Sequence, residues 1–297
     1  MRRSLLRLVA VIAAFFALVP AAPRADVPPG LAYDEVVRLT VDATPPPPGA
    51  FDEPGRRRGL DRAADRRLHD LAGSWADRLA AFVPGRLTHV AVWNGWERID
   101  DPAAQTAVIR KCDQRTGYRL DLAHRTYTAF DPTLAGPAER DDEATGTASA
   151  SLSETVTSLG TLPLEGVDAR GFETRSDFAV IPSGGGCRGG SAVYVTRTYY
   201  ADLARPSRFC PLSPAAEPYP ESALALFAGR LGKSGTCSWS VSSTKSGPVP
   251  PETHLALYRS LGFEPFALTT LRGNLRPLGP DDAGLFEIPP GFTPGRP

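Results

Sequence analysis

Two hydrophobic periods divide this chain. Over residues 60–82, apolar side chains recur at intervals of three and four: Leu60, Ala64, Leu68, Leu71, Trp75, Leu79 and Phe82. Arg and Asp fill the other face, so the spacing predicts one long amphipathic helix, ended by Pro84-Gly85. After it the period becomes two. Residues 88–93, 105–112, 117–122 and 125–130 read as strands, with turns at Asn94-Gly95, Asp100-Asp101-Pro102, 115–117 and Ala123-His124. Short turns between alternating segments predict an antiparallel meander.

The remaining pattern is also mostly strand-like. Segments 33–41, 147–159, 166–181, 191–200, 236–242, 254–258 and 266–271 are strand candidates, and 221–231 fits a short helix. Pro45 to Pro48 force an extended linker, and 202–220 is a Pro-rich loop. The expected fold is mainly β (α+β): a curved antiparallel sheet or incomplete barrel packed on one long amphipathic helix. The expected division is a signal peptide at 1–25, a Pro-rich segment at 26–59 and a single β-rich domain at 60–297.

The first 25 residues change the picture most. Arg2, Arg3 and Arg7 precede an apolar run of about a dozen residues, short for a bilayer span. Cleavage after Ala21 puts Val19 and Ala21 at the positions a signal peptidase reads, cleavage after Ala25 puts Pro23 at the first of them, and an uncleaved anchor is the rival. No other stretch approaches spanning length. The protein is therefore expected to be exported, to the periplasm or outside the cell.

Charge then narrows the partners. The chain holds 33 basic and 33 acidic residues. Without residues 1–25, which hold Arg2, Arg3, Arg7 and Arg24, the chain carries 29 basic against 33 acidic residues, a net of −4. That argues against nucleic acid, whose phosphates need a basic face. Cys112, Cys187, Cys210 and Cys237 are an even set of four for an oxidising compartment, and none forms a close C-x-x-C pair. Two disulfides are expected rather than a metal site, with the pairing open.

Catalytic motifs fail on context. Gly232-Lys233-Ser234 lacks the earlier glycine of a P-loop, since Phe227 stands there. Ser242-Ser243-Thr244-Lys245 matches S-x-x-K, and Lys245-Ser246-Gly247 loosely echoes K-T-G, but the two overlap and read best as a turn after a strand. No G-x-S-x-G occurs. His69, His89, His124 and His254 are scattered without metal-ligand spacing, and Asp141-Asp142-Glu143 and Asp281-Asp282 read as solvated carboxylates. No cofactor, metal or catalytic residue is expected.

Aromatics lie on successive strands, among them Trp93, Trp96, Tyr118, Tyr127, Tyr194 and Tyr258. Either they form an ordinary core under the helix or the sheet encloses an apolar ligand between itself and that helix. On the second reading the lining is drawn from Leu68, Leu71, Trp75, Leu79, Trp93, Tyr118 and Tyr194.

Three segments bear on the choice. Residues 109–113, 118–122 and 125–127 form repeated short hairpins; 164–173 runs Leu-Glu-Gly-Val-Asp-Ala-Arg-Gly-Phe-Glu; and the chain closes with Phe286-Glu287-Ile288-Pro289-Pro290-Gly291-Phe292. Together they resemble exported proteins of the LolA-like or LolB-like lipoprotein-carrier fold. The resemblance implies a strongly curved antiparallel sheet plugged by helices, and a carrier of lipid or lipoprotein acyl chains without catalysis. The chain departs from those carriers in its length, its four Cys and its 202–220 insert. Two alternatives stay open: an envelope interaction module without a small ligand, and an extracytoplasmic hydrolase with a non-standard site.

Overall fold

The computed structural model describes residues 30–40, 82, 85–133, 146–185, 189–205, 237–263 and 266–295. They form one 13-stranded open sheet. In chain order the strands are β1 (Gly30–Thr40), β2 (Arg86–Trp93), β3 (Trp96–Asp101), β4 (Thr106–Lys111), β5 (Thr116–Asp121), β6 (Thr126–Phe130) and β7 (Gly146–Leu164). They continue with β8 (Val167–Gly185), β9 (Gly190–Ala204), β10 (Cys237–Ser246), β11 (His254–Phe263), β12 (Phe266–Leu278) and β13 (Thr293–Pro294). In space the order is β10-β7-β8-β9-β11-β12-β1-β2-β3-β4-β5-β6-β13.

The meander β2 to β6 follows the sequence pattern because its turns are local. Asn94 and Gly95 both take positive φ (51° and 78°), the backbone of a two-residue hairpin whose twist matches the strands. Glu165 and Gly166 do the same between β7 and β8 (50° and 74°). Strand β3 had no hydrophobic signature because the inward position Glu97, 2% exposed, is charged. Its carboxylate accepts a 2.7 Å bond from Arg110, its register partner on β4. A cross-strand ion pair here takes the place of an apolar pair.

Three expectations need correction or restriction. The sheet is antiparallel only in its interior: β10 joins β7, and β13 joins β6, in parallel. Residues 242–245, read as a turn, belong to β10 instead. Their side chains are exposed, so neither face of that edge strand carries the alternation that would mark it. The helix over 60–82 and the shorter one over 221–231 lie outside the described residues, apart from Phe82, which is buried and whose carbonyl accepts the Leu39 amide at 3.0 Å.

Two apolar clusters hold the sheet. One gathers Tyr33, Val90, Val92, Leu164, Ala169, Tyr199, Leu255, Leu257, Tyr258 and Leu271 from strands running from β7 across to β2. The other covers the β2–β5 end, where Ala91, Ala107, Ile109 and Leu120 are buried under Phe286 and Leu278. Consecutive residues of β2 serve different clusters, Val90 and Val92 one and Ala91 the other, as strand alternation requires. Phe286 ends a 3-10 helix (Pro280–Phe286) laid on the sheet. Arg98 anchors that helix by donating to the Leu285 carbonyl at 2.8 Å.

Candidate functional site

A cavity of about 340 Å³ opens on β7, β8, β9 and β11. Its base is built by register. Lys245, Glu154 and Ser176 are successive partners across β10, β7 and β8, so their side chains share one face. Thr174 pairs Thr196, and Thr198 pairs Arg259, on the same side. Tyr33, Val92 and Leu255, members of the first apolar cluster, also line the cavity.

Its roof is a strap. The segment 247–253, Gly-Pro-Val-Pro-Pro-Glu-Thr, leaves β10 at the sheet edge and enters β11 beyond β7, β8 and β9. Four inter-strand steps span about 19 Å. Eight residue steps at polyproline rise reach about 25 Å. The segment is therefore long enough for the crossing, and it turns at its far end, where the His254 amide donates to the Pro251 carbonyl at 2.9 Å. Within it Pro250 is buried and lines the cavity, while Val249 is 84% exposed. The Arg205 amide fastens its far end to the Thr253 carbonyl at 2.8 Å.

Charge is concentrated around this space. Arg205, Lys245, Arg259 and Arg272 line it against Glu154 and Glu252, with His254 beside them. Arg272 is engaged: its guanidinium holds Glu35 at 2.7 Å, donates to the Ala256 carbonyl at 2.9 Å and lies over the Tyr33 ring. Lys245 and Glu252 meet at 3.7 Å across the mouth, strand to strap. Among the described residues the His254 Nδ1 makes no hydrogen bond, and Asp202 Oδ1 stands 3.5 Å from it. Burial pushes the Tyr200 phenol up; Arg259 and Arg205 act in the opposite direction and Glu252 with it. Tyr200 is thus a protonated hydroxyl, next to Thr198 and within the field of two guanidinium groups.

The Ser176 hydroxyl donates to Glu154 Oε1 at 3.2 Å. No hydrogen bond joins it to His254 or Lys245, so the serine has none of the imidazole or amine contacts that activate a nucleophile. No group of His, Cys, Asp and Glu fit to hold a metal occurs among the described residues, and no described helix is long and apolar enough to cross a membrane.

The residues named from the sequence as a lining are placed as follows. Trp93 and Tyr118 belong to the second cluster, Trp93 stacked 6.3 Å from Phe286 and Tyr118 edge-on to Tyr127 at 5.9 Å. Tyr194 is buried on β9, in register with Ser176 and edge-on to Phe178 at 5.6 Å. It neighbours the cavity without lining it. Leu68, Leu71, Trp75 and Leu79 lie outside the described residues. Cys112 is buried and is half of a disulfide; the side chains of Cys187, Cys210 and Cys237 lie outside the described residues. Asp282 is more than a solvated carboxylate. It accepts the Gly279 amide at 3.0 Å and pairs Arg276 at 2.8 Å, which together hold it below the usual aspartate range.

Sequence reasoning missed the polar cavity. Of its residues, only Lys245 lay in a motif weighed for chemistry, and His254 in a list of scattered histidines. The signal was the Pro-rich run 248–251 between two strand candidates, which is short and stiff enough to be a strap.

No protein-family model and no curated protein matches the chain. Among solved structures it is similar to a domain from Vibrio parahaemolyticus assigned to outer membrane lipoprotein sorting, at 9% identity and a TM-score of 0.26. That match covers 87% of this chain and 90% of the other. It is also similar to a DUF1329 family protein from Desulfovibrio piger, at 12% identity and a TM-score of 0.27, covering 88% and 91%. One structural neighbour thus bears the same class of name as the sequence resemblance, and at these TM-scores the likeness carries no argument about this chain's fold or activity.

Proposed function

We propose that the protein is exported to the cell envelope, by a signal peptide over residues 1–25, and binds an amphiphilic ligand there without catalysing a reaction. Lipid and lipoprotein acyl chains are the ligand class. The cavity beneath the Pro-rich strap is the site, and one observation carries the reading: Tyr33, Val92 and Leu255 bring the apolar cluster to the wall of a largely polar space. A wall with both characters suits a molecule that has both. Curvature of the sheet, cover by the helix over 60–82, and a further lining from Leu68, Leu71, Trp75 and Leu79 belong to the same proposal. So do two disulfides among Cys112, Cys187, Cys210 and Cys237.

The test is native mass spectrometry of the protein purified from its own envelope fraction, followed by lipid extraction. The reading expects a co-purifying amphiphile near one to one. A ligand-free mass, and no uptake of decyl maltoside or decyl phosphate, overturns it. The same spectrum reports the disulfides, as a mass lower than the mature chain by four hydrogens.

A second reading, an extracytoplasmic hydrolase, would need Glu154 to act as the base for Ser176, since the serine donates to that carboxylate and no imidazole or amine reaches it. Turnover of a short-chain ester that is lost in Ser176→Ala, with the fold intact, would put that reading first.

A further inference from the structure

We infer that the strap-roofed cavity recognises a neutral polyhydroxylated head group, a sugar or polyol, through the Glu154–Ser176 pair and the hydroxyls of Thr174, Thr196 and Thr198. The inference rests on the binder reading above and adds the chemistry that selects the ligand. The apolar part of the same ligand meets Tyr33, Val92 and Leu255.

The hydroxyls form a grid fixed by backbone pairing. Thr174 and Ser176 lie two residues apart on β8, and Thr196 and Thr198 two apart on β9, so each pair shares one face. All four line the cavity. Thr174 and Thr196 are register partners, which sets their Cβ atoms about 5 Å apart, with about 7 Å between neighbours along a strand. Ser176 is 2% exposed and Thr198 7%, so both belong to the cavity floor rather than to its mouth.

Glu154 gives this grid a fixed acceptor. Lys245 is its register partner on β10, yet the ammonium goes to Glu252 on the strap, 3.7 Å away. Among the described residues the Glu154 side chain instead receives one hydrogen bond, from the Ser176 hydroxyl to Oε1 at 3.2 Å. Oε2 stands as an acceptor beside groups that both donate and accept. The cations around the space are held by the protein: Arg272 by Glu35 at 2.7 Å and Lys245 by Glu252, while Arg259 is also engaged.

That combination suits a ligand rich in O–H groups, each of which donates to a carboxylate or hydroxyl and accepts from a neighbour. An anion is disfavoured, because Glu154 repels it and it has no proton to give. A quaternary ammonium is attracted to Glu154 but leaves the buried hydroxyls without partners.

The experiment is calorimetric titration of the full protein with four probes: decyl maltoside, decyl phosphate, decyltrimethylammonium and maltose. Decyl maltoside is expected to bind at least about tenfold more tightly than the two charged amphiphiles. Maltose, which has the head without the chain, is expected to bind more weakly than decyl maltoside. Glu154→Gln keeps the size of the side chain and is expected to weaken decyl maltoside about tenfold without weakening decyl phosphate. Thr196→Val keeps the shape and suits a strand, so it serves as the second variant should Glu154→Gln fail to fold, with a loss of about fivefold.

Preference for either charged amphiphile overturns the head-group inference and leaves the binder reading standing. So does equal binding of all three amphiphiles that neither variant changes. Maltose bound as tightly as decyl maltoside, and weakened by Glu154→Gln, supports the polyol site and overturns the amphiphile reading. Silence toward all four probes overturns both.

Discussion

The amide of Arg205 donates to the carbonyl of Thr253 at 2.8 Å, tying the end of β9 to the last residue of the strap. The strap's first residue is fixed differently. Gly247 has φ +95°, and a Cβ there would lie 2.0 Å from the Val156 carbonyl oxygen. Both ends of the roof are therefore set by backbone, and the cavity's height follows from them.

Gly247→Ala is expected to destabilise the protein by about 2 kcal/mol, from left-handed strain and the clash with Val156. Urea unfolding measures it. A midpoint equal to that of the unmodified protein would mean that the strap is not seated on β7.

Phe286 is fully buried between Trp93, 6.3 Å away, and Trp96, 6.0 Å away. Phe286→Ala removes that packing and leaves a cavity, at a cost of about 3–5 kcal/mol. Tryptophan fluorescence should shift to the red in the folded state, since both indoles gain water.

Arg110 and Glu97 form a 2.7 Å pair with side chains 19% and 3% exposed. Arg110→Ala takes a charged partner from a buried carboxylate and is expected to cost about 3 kcal/mol. The double change Glu97→Leu with Arg110→Leu is expected to recover most of that loss. Thermal unfolding of the three proteins gives the comparison, and no recovery in the double variant would mean that the pair does more than balance charge.

Acid and alkali act on different parts of the molecule. Arg276 and the Gly279 amide hold Asp282 below the usual aspartate value. A depressed carboxylate contributes above its unfolded value of about 4, and the contribution is lost as pH falls through the lower folded value. Below about pH 4 the 3-10 helix should loosen from the sheet, and Asp282→Asn should show that loosening at neutral pH. Tyr200 runs the other way. Its folded value is raised, so stability is whole below about pH 10 and falls as the unfolded phenol ionises first. Tyr200→Phe should flatten that alkaline limb. Tyrosinate absorbance and circular dichroism follow the two limbs.

The meander could be read from the sequence because everything it needs is close in the chain. Asn94-Gly95 sets the first turn, and each alternating segment meets its partner within a few residues. The cavity could not, because Lys245 reaches Glu154 only through a parallel pairing between segments far apart in sequence. No local pattern announces such a pairing. Glu97 shows the other limit: a charged residue at an inward position looks like surface until its partner Arg110 is known. The aromatic stripe was legible as sheet-facing, whereas its use was not, since Trp93 and Tyr118 meet the closing segment around Phe286 rather than the cavity.

One ladder has a consequence for the making of the protein. β1 lies between β2 and β12, and its outer partners run from Gly30 with Leu278 to Thr40 with Ala267. During synthesis, β1 through β6 can pair among themselves, yet one side of β1 waits for residues that emerge more than two hundred positions later. Until then that side is a row of bare amides and carbonyls, a template for strands of other chains. Any truncation before residue 266 makes the wait permanent, so shortened forms should aggregate through β1, and a holding chaperone would be needed most on that single edge.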